Sequence, residues 1–234
     1  MLKTATLLAN TATVSGVIGV GRDGRVLAEV SLELASSSNQ VLAAVDEALA
    51  KATCEREEIS QIVLVKGPGT FTGSRVGASI AKALSYALPC ALTSVTTLAA
   101  VAWTGMQRRA STDADGCRVW ALLDARRHQF YVQEFACRAG ILTAEGEPVC
   151  MGPEAFDAVR RSGGLAACAF PLAAVPESQR PQASDRVVWE FSVYPTCRGI
   201  VAASAKACAE DPFTLEPVYL RTTEELFDRP KGAS

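Results

Sequence analysis

Apolar and polar positions divide the chain into short extended runs at its start and helical runs further on. Thr4 to Ala9 is apolar and ends in the polar cluster Asn10-Thr11-Ala12-Thr13, which predicts a strand closed by a turn. Val14 to Val20 predicts a second strand. Gly21-Arg22-Asp23-Gly24 predicts a hairpin, because Asp-Gly supplies the left-handed backbone of a tight turn. Val26, Ala28, Val30, Leu32 and Leu34 then alternate as the inward residues of a third strand. Ser36-Ser37-Ser38 offers N-caps for a helix carrying Val41, Leu42, Val45 and Leu49 on one face. The charged run Glu55-Arg56-Glu57-Glu58 reads as a solvated segment. Gln61 to Lys66 predicts a fourth strand, Ser74 to about Leu88 a helix stopped by Pro89, and Cys90 to Thr93 a fifth strand. Ser94-Val95-Thr96-Thr97 caps a helix through about Met106.

Beyond that point the pattern loosens. Gln107 to Gly116 is polar, carries Arg108-Arg109 and Asp113-Ala114-Asp115, and reads as a connection between two lobes, 1–106 and 107–234, the last segment being free to return to the first lobe. Arg118 to Leu123 and Phe130 to Phe135 flank a turn and predict a second hairpin. From Ala139 to Pro181 the pattern is weak, with a helix near Pro153 to Arg161. Val187 to Phe191 predicts a last strand, Pro195 to Glu210 a helix, and Pro217 to Arg221 an extended piece; the tail from Phe227 onward reads as frayed. No internal repeat is visible.

Between the fourth strand and its helix stands Gly67-Pro68-Gly69-Thr70-Phe71-Thr72-Gly73-Ser74-Arg75-Val76-Gly77. Strand, glycine loop and helix start form the layout in which backbone N–H groups converge on an anion. Glycines also let two backbones approach closely. The loop has neither the Lys-Ser/Thr of a phosphate-binding P-loop nor the spacing of a dinucleotide fingerprint, so the phosphate reading has no motif behind it. On the helix, Val76, Ile80, Leu84 and Leu88 form an apolar stripe that should face the core of the lobe. Gly73, Gly77 and Ala81 run along its edge, and Ser74, Ala78 and Ser85 lie on the adjacent face. Small residues there allow close axial approach of a second helix. Packing inside the lobe, pairing with another subunit, and phosphate contact all stay open on these residues alone.

Composition narrows the chemistry. The chain has 234 residues, 49% of them apolar and 21% charged, with a net charge of -2, which argues against a large phosphate-binding footprint for nucleic acid. The 8 cysteines form no CxxC pair, and with no secretory signal at the start they read as reduced, mostly buried small hydrophobes in a cytoplasmic protein. A single histidine, His128, and the absence of clustered thiols argue against a metal site. His128 follows two arginines in a turn and reads as an exposed loop residue. Asp124 has no acidic partner or nucleophile near it in sequence, so a turn-capping role is favoured over catalysis, with Arg126 pairing with it or crossing between lobes. Trp103, Trp120 and Trp189 read as packing residues. No apolar run has the ~20 residues of a membrane span.

The glycine stretch closely resembles the GPGSFTGxRxG signature of the TsaB (YeaZ-like) family of bacterial tRNA threonylcarbamoyladenosine biosynthesis proteins, within the glycoprotease-like superfamily. Ser94-Val95-Thr96-Thr97-Leu98 is similar to that family's "GVSSLEAL" segment. Leu123-Asp124-Ala125-Arg126 with Gln129-Phe130-Tyr131 is similar to "IDARxGEVY", and Pro217-Val218-Tyr219-Leu220-Arg221 to "PVYLR". The resemblance implies an α/β protein with a two-lobed actin/Hsp70-like (ribonuclease H-like) fold, each lobe a mixed sheet flanked by helices. Three antiparallel strands followed by strand–helix units agree with it. It also implies a non-catalytic subunit for the t6A modification of adenosine 37 of tRNA. Such a subunit would pair with a second copy of itself and with a TsaD-like catalytic partner, beside a TsaE-like ATPase. It would hold no cofactor, with ATP, Mg²⁺ and metal on the partners, and meet tRNA only through the complex.

The partner surface implied is the glycine-signature helix with the helix before it, through Thr70, Phe71, Thr72, Gly73, Ser74, Arg75, Gly77, Ala78 and Ala81. Asn10, Thr11, Gly67, Gly69, Asp124 and Arg126 are the residues placed to touch a nucleotide or to hold the loops. Asn10 stands where relatives carry an aspartate, and a neutral amide cannot supply the charge that holds Mg²⁺ through waters. Gln129 stands where glutamate is common, and Ser37 to Gln40 lacks the histidine many relatives carry. An HxxxH metal motif cannot exist with one histidine, which also argues against a protease. The alternative reading is a stand-alone ATP-dependent kinase or ATPase of the same superfamily.

Overall fold

A computed structural model describes residues 4–33, 38–109 and 116–220. Ser36, Ser37 and Leu34, the acidic residues at 113 and 115, Arg221 and the tail lie outside them.

The Asp23-Gly24 turn forms as expected, both residues with left-handed φ (52° and 74°), and joins β2 (Ser15–Arg22) to β3 (Arg25–Glu33). β1 (Ala5–Asn10) pairs antiparallel with β2 on one side and parallel with β4 (Ile59–Val65) on the other. β5 (Ala91–Val95) lies parallel to β4. On one face of this sheet, α1 (Ser38–Lys51) and α2 (Phe71–Ala87) cover Leu7, Ile18, Ile62 and Leu64. On the other face, Leu8, Val17, Val63 and Val65 pack against α3 (Thr97–Arg109) and α5 (Cys197–Ser204).

The second sheet repeats the order of the first without repeating its sequence. β8 (Ile141–Ala144), β7 (Phe130–Arg138), β6 (Arg118–Asp124), β10 (Gly164–Cys168) and β11 (Val187–Glu190) stand in the places of β3, β2, β1, β4 and β5. β9 (Val149–Met151) pairs with β7. α4 (Glu154–Ser162) covers the outer face, where its Phe156 packs with Phe130 and Phe170, the three rings meeting edge-on or tilted at 5.0–6.4 Å. The inner face receives Leu98, Val101 and Ala102 of α3. α3 is thus a shared element, buried against both sheets. A lobe boundary between 106 and 107 falls inside it.

Several expectations change. Leu42 is 42% exposed, and Ala44 and Ala48 take its place on the buried face of α1. Glu58 leaves the solvated run to bury itself beside Arg22, with which it pairs at 2.6 Å. The helix expected through Glu210 ends at Ser204, and β12 (Ala209–Glu210) joins the first sheet beside β5. Lys66 Nζ donates to Glu210 Oε1 at 2.6 Å and Ser94 Oγ donates to the same oxygen, which fixes that return. The hydrogen bonds from Lys66, then Ser94, hold the Glu210 carboxyl below its usual range.

Candidate functional site: the cleft between the sheets

The carboxyl ends of β1, β4, β6 and β10 open onto a cleft of about 480 Å³. Segments far apart in the chain meet there. The glycine loop forms one wall, and Thr97 N–H donates to its Gly67 carbonyl at 2.9 Å. The segment at 217–220 crosses the loop, with Val218 N–H donating to the Lys66 carbonyl at 2.8 Å. The Asp124–Gln129 turn stands opposite, beside Tyr194, Phe170 and Pro171.

Asn10 and Asp124 end corresponding strands and cap corresponding turns. Asn10 is fully buried; its Oδ1 accepts from Ala12 N–H at 3.1 Å and its Nδ2 donates to Thr13 Oγ1 at 2.8 Å. Asp124 Oδ1 accepts from Arg126 N–H at 2.7 Å, and Arg126 Nη1 stands 3.7 Å from Oδ2. The hairpin role read for Asp124 is what its side chain performs. The turn it caps carries Arg126, Arg127 and His128 in succession at φ of 66°, 53° and 57°, a left-handed run in which a local side-chain bond offsets the cost. His128 is exposed. Burial, then the Asp124 charge, pushes the Tyr194 hydroxyl above its usual pKa.

Polar groups at the end of β1 and the start of α2 that a Mg²⁺-nucleotide would use are engaged within the chain. Both polar atoms of Asn10 are used within its own turn. Thr70 N–H, at the start of α2 where a phosphate would seek a donor, donates instead to the Ala12 carbonyl at 2.7 Å. Among the described residues no three His, Cys, Asp or Glu side chains group as metal ligands.

The glycine signature has a different use from the one its helix stripe suggested. Thr11 Oγ1 donates to the Gly73 carbonyl at 2.7 Å. A Cβ on Gly69 would strike the Ala12 carbonyl, one on Gly73 the Thr11 carbonyl, and one on Gly77 the Thr11 hydroxyl. The small face therefore lies against the β1–β2 turn and the sheet of its own lobe. Ser74, Gly77, Ala78, Ala81 and Ser85 are the buried residues of α2, whereas Val76, Ile80, Leu84 and Leu88 are only partly buried along the edge of the core. Gly77, Ala78, Ala81 and Ser74 are consequently not surface residues, and Gly73 is half-buried. Phe71, Thr72 and Arg75 are exposed.

Those exposed residues form a cluster that sequence reasoning missed. The Arg75 guanidinium lies 3.8 Å from the centroid of the Phe71 ring, Arg75 Nε donates to Tyr219 Oη at 3.1 Å, and the Phe71 and Tyr219 rings are 5.7 Å apart. Phe71 and Tyr219 remain 41% and 43% exposed. Tyr219 is 144 residues from Arg75, so only the shared presence of both residues in the two quoted motifs hinted at the contact.

A sheet order used twice, with a cleft at the carboxyl ends of the strands, defines a two-lobed protein of the actin-like, ribonuclease H-like class. The solved structure titled YeaZ from Pseudomonas aeruginosa superposes with a TM-score of 0.73 at 20% identity, covering 93% of this chain and 100% of that one. The family described as TsaD, tRNA N6-adenosine threonylcarbamoyltransferase, matches residues 31–180. The tRNA threonylcarbamoyladenosine biosynthesis protein TsaB of Bacillus subtilis is 31% identical over 53% of this chain and 52% of its own length. The Escherichia coli TsaB is 29% identical over 55% and 54%. The chain belongs to the threonylcarbamoyltransferase family, on its TsaB (YeaZ) branch. It spans about half the length of the curated relatives it matches.

Proposed function

We propose that this chain is a non-catalytic subunit of a tRNA threonylcarbamoyladenosine-forming assembly, pairing with a second copy and with a TsaD-like catalytic subunit alongside a TsaE-like ATPase. The observation that carries this reading is the neutral end of β1. Asn10 is buried and spends both polar atoms on its own turn, so the end of β1 offers no carboxylate for the Mg²⁺ of a nucleotide. The names of the relatives supply the pathway. In this reading the chain carries no resident cofactor, ATP, Mg²⁺ and metal sit on the partners, and tRNA reaches it only through the complex in the cytosol. Among the described residues no helix is long and apolar enough to cross a membrane.

The partner face in this reading is the outward side of α2 with its rim: Phe71, Thr72 and Arg75, joined by Tyr219. Aromatic and arginine side chains carry a disproportionate share of interface energy, and this cluster is held in place before any partner arrives. Gly73, Gly77, Ala78 and Ala81 serve it indirectly, by seating α2. The test is capture of the purified TsaD-like subunit by the tagged chain. Wild type is expected to retain it, and Phe71→Ala combined with Arg75→Ala to lose it with the fold intact. Undiminished capture by the double variant would remove the proposed face.

A further inference from the structure

The second sheet begins with two cysteines opposite one another on hydrogen-bonded backbone, outside the cleft. Gly116 has a left-handed φ of 77°; its N–H donates to the Cys137 carbonyl at 2.8 Å, and Cys137 N–H donates to the Cys117 carbonyl at 2.9 Å. The pairing of Arg118 with Ala136 continues directly from there. Gly116 and Cys117 therefore oppose the single residue Cys137, a glycine-led β-bulge. Cys137 is fully buried in the cluster between the second sheet and α3, and half-buried Cys117 packs against that same cluster. Both thiols thus lie on one face of one cross-strand pair, where Cα atoms stand about 4.5–5.5 Å apart. That separation lies within the range a disulfide spans.

We infer that Cys117 and Cys137 form an oxidisable dithiol, a modification site for small disulfides of the glutathione class. Cys117, the more accessible of the two, attacks one sulfur of the oxidised tripeptide as its thiolate, forming a mixed disulfide and releasing one reduced tripeptide. Cys137 then loses its proton and attacks Cys117 Sγ, forming the protein disulfide and expelling the second reduced tripeptide. Two protein thiols are oxidised and one small disulfide is reduced. Burial, then the neighbouring Cys137, holds the Cys117 thiol above its usual pKa, so the exchange belongs to the minutes-to-hours range of uncatalysed disulfide chemistry, on the order of hours. The product ties the base of the β6–β7 hairpin, whose far end is the Asp124–Gln129 turn of the cleft.

The test incubates the full, folded chain with oxidised glutathione, blocks remaining thiols with an alkylating reagent and maps disulfide-linked peptides by mass spectrometry. A Cys208→Ser variant removes the exposed thiol. The expected result is a Cys117–Cys137 linked peptide, with two hydrogens lost and no tripeptide retained, in both wild type and Cys208→Ser. Cys117→Ser should abolish it and leave Cys137 free. A stable glutathione adduct on Cys117 with Cys137 still free, or reaction confined to Cys208, would overturn the inference.

Discussion

Thr11 and Gly73 are joined by a hydrogen bond from the Thr11 hydroxyl to the Gly73 carbonyl at 2.7 Å, and a Cβ on Gly73 would strike the Thr11 carbonyl. This contact fastens the glycine-signature helix to the turn after β1, so the signature acts first as a seat for α2. Gly73→Ala should destabilise the chain. A helical alanine gains about 1 kcal/mol over glycine, but forcing backbone apart costs about 1–3 kcal/mol, and a carbonyl is not easily moved. Urea unfolding should show a net loss, smaller for Gly77→Ala, whose obstacle is a side-chain hydroxyl, and near zero for exposed Ser79→Ala. Equal stability of all three would show that α2 is not seated this way.

Removing the donor tests the same contact from the other side. Thr11→Val keeps the shape and loses the bond to Gly73, and should lower stability by about 1 kcal/mol. Thr11→Ser, which retains the hydroxyl, should recover part of it in the same unfolding measurement.

The return of the chain to the first sheet should be pH-dependent. Hydrogen bonds from Lys66 and then Ser94 hold the Glu210 carboxyl below its ordinary value of 4.5. A depressed carboxylate stabilises the native state fully above the unfolded pKa and loses that contribution as pH falls through the lower folded value. The stability gap between wild type and Glu210→Gln should therefore be present at neutral pH and shrink below about pH 4.5. A gap that widens on acidification would contradict the assignment.

Much of the first lobe was legible because its signals are local. Asp23-Gly24 dictates its turn whatever surrounds it, and the alternation of the third strand needs only its own residues. On α2 the stripe of Val76, Ile80, Leu84 and Leu88 does pack on the core, but the seat of the small face stayed open, because periodicity reports how apolar a face is and not how near its neighbour comes. Val76, Ile80, Leu84 and Leu88 are larger and yet half-buried, while the small face lies flush on the sheet because Gly73 and Gly77 have no Cβ there. β12 was missed because two residues carry no pattern, and its place is set by the remote pair Lys66–Glu210. Glu58 looked solvated because its partner Arg22 is 36 residues away. In the weak stretch from 139 to 181 the helix near Pro153 to Arg161 was readable and is α4, whereas the short strands and turns around it are each too brief for a sequence period. Of the cleft, the turn-capping role of Asp124 was readable in sequence, whereas the Phe71–Arg75–Tyr219 cluster needed the fold.

The neutral Asn10 turn predicts that the chain alone neither binds Mg-ATP at micromolar concentration nor hydrolyses it. Calorimetry and a phosphate-release assay check this directly. Micromolar binding with turnover would revive the kinase or ATPase reading.

The most direct test of the account is an omission experiment on tRNA threonylcarbamoylation. Purified TsaD-like and TsaE-like subunits are supplied with threonylcarbamoyl-adenylate, ATP, Mg²⁺ and unmodified tRNA, with and without this chain, and modified adenosine is measured. Product is expected only when the chain is present with its partners, with none from the chain alone. Equal product without the chain, or product from the chain alone, would contradict the assignment of a non-catalytic, required subunit.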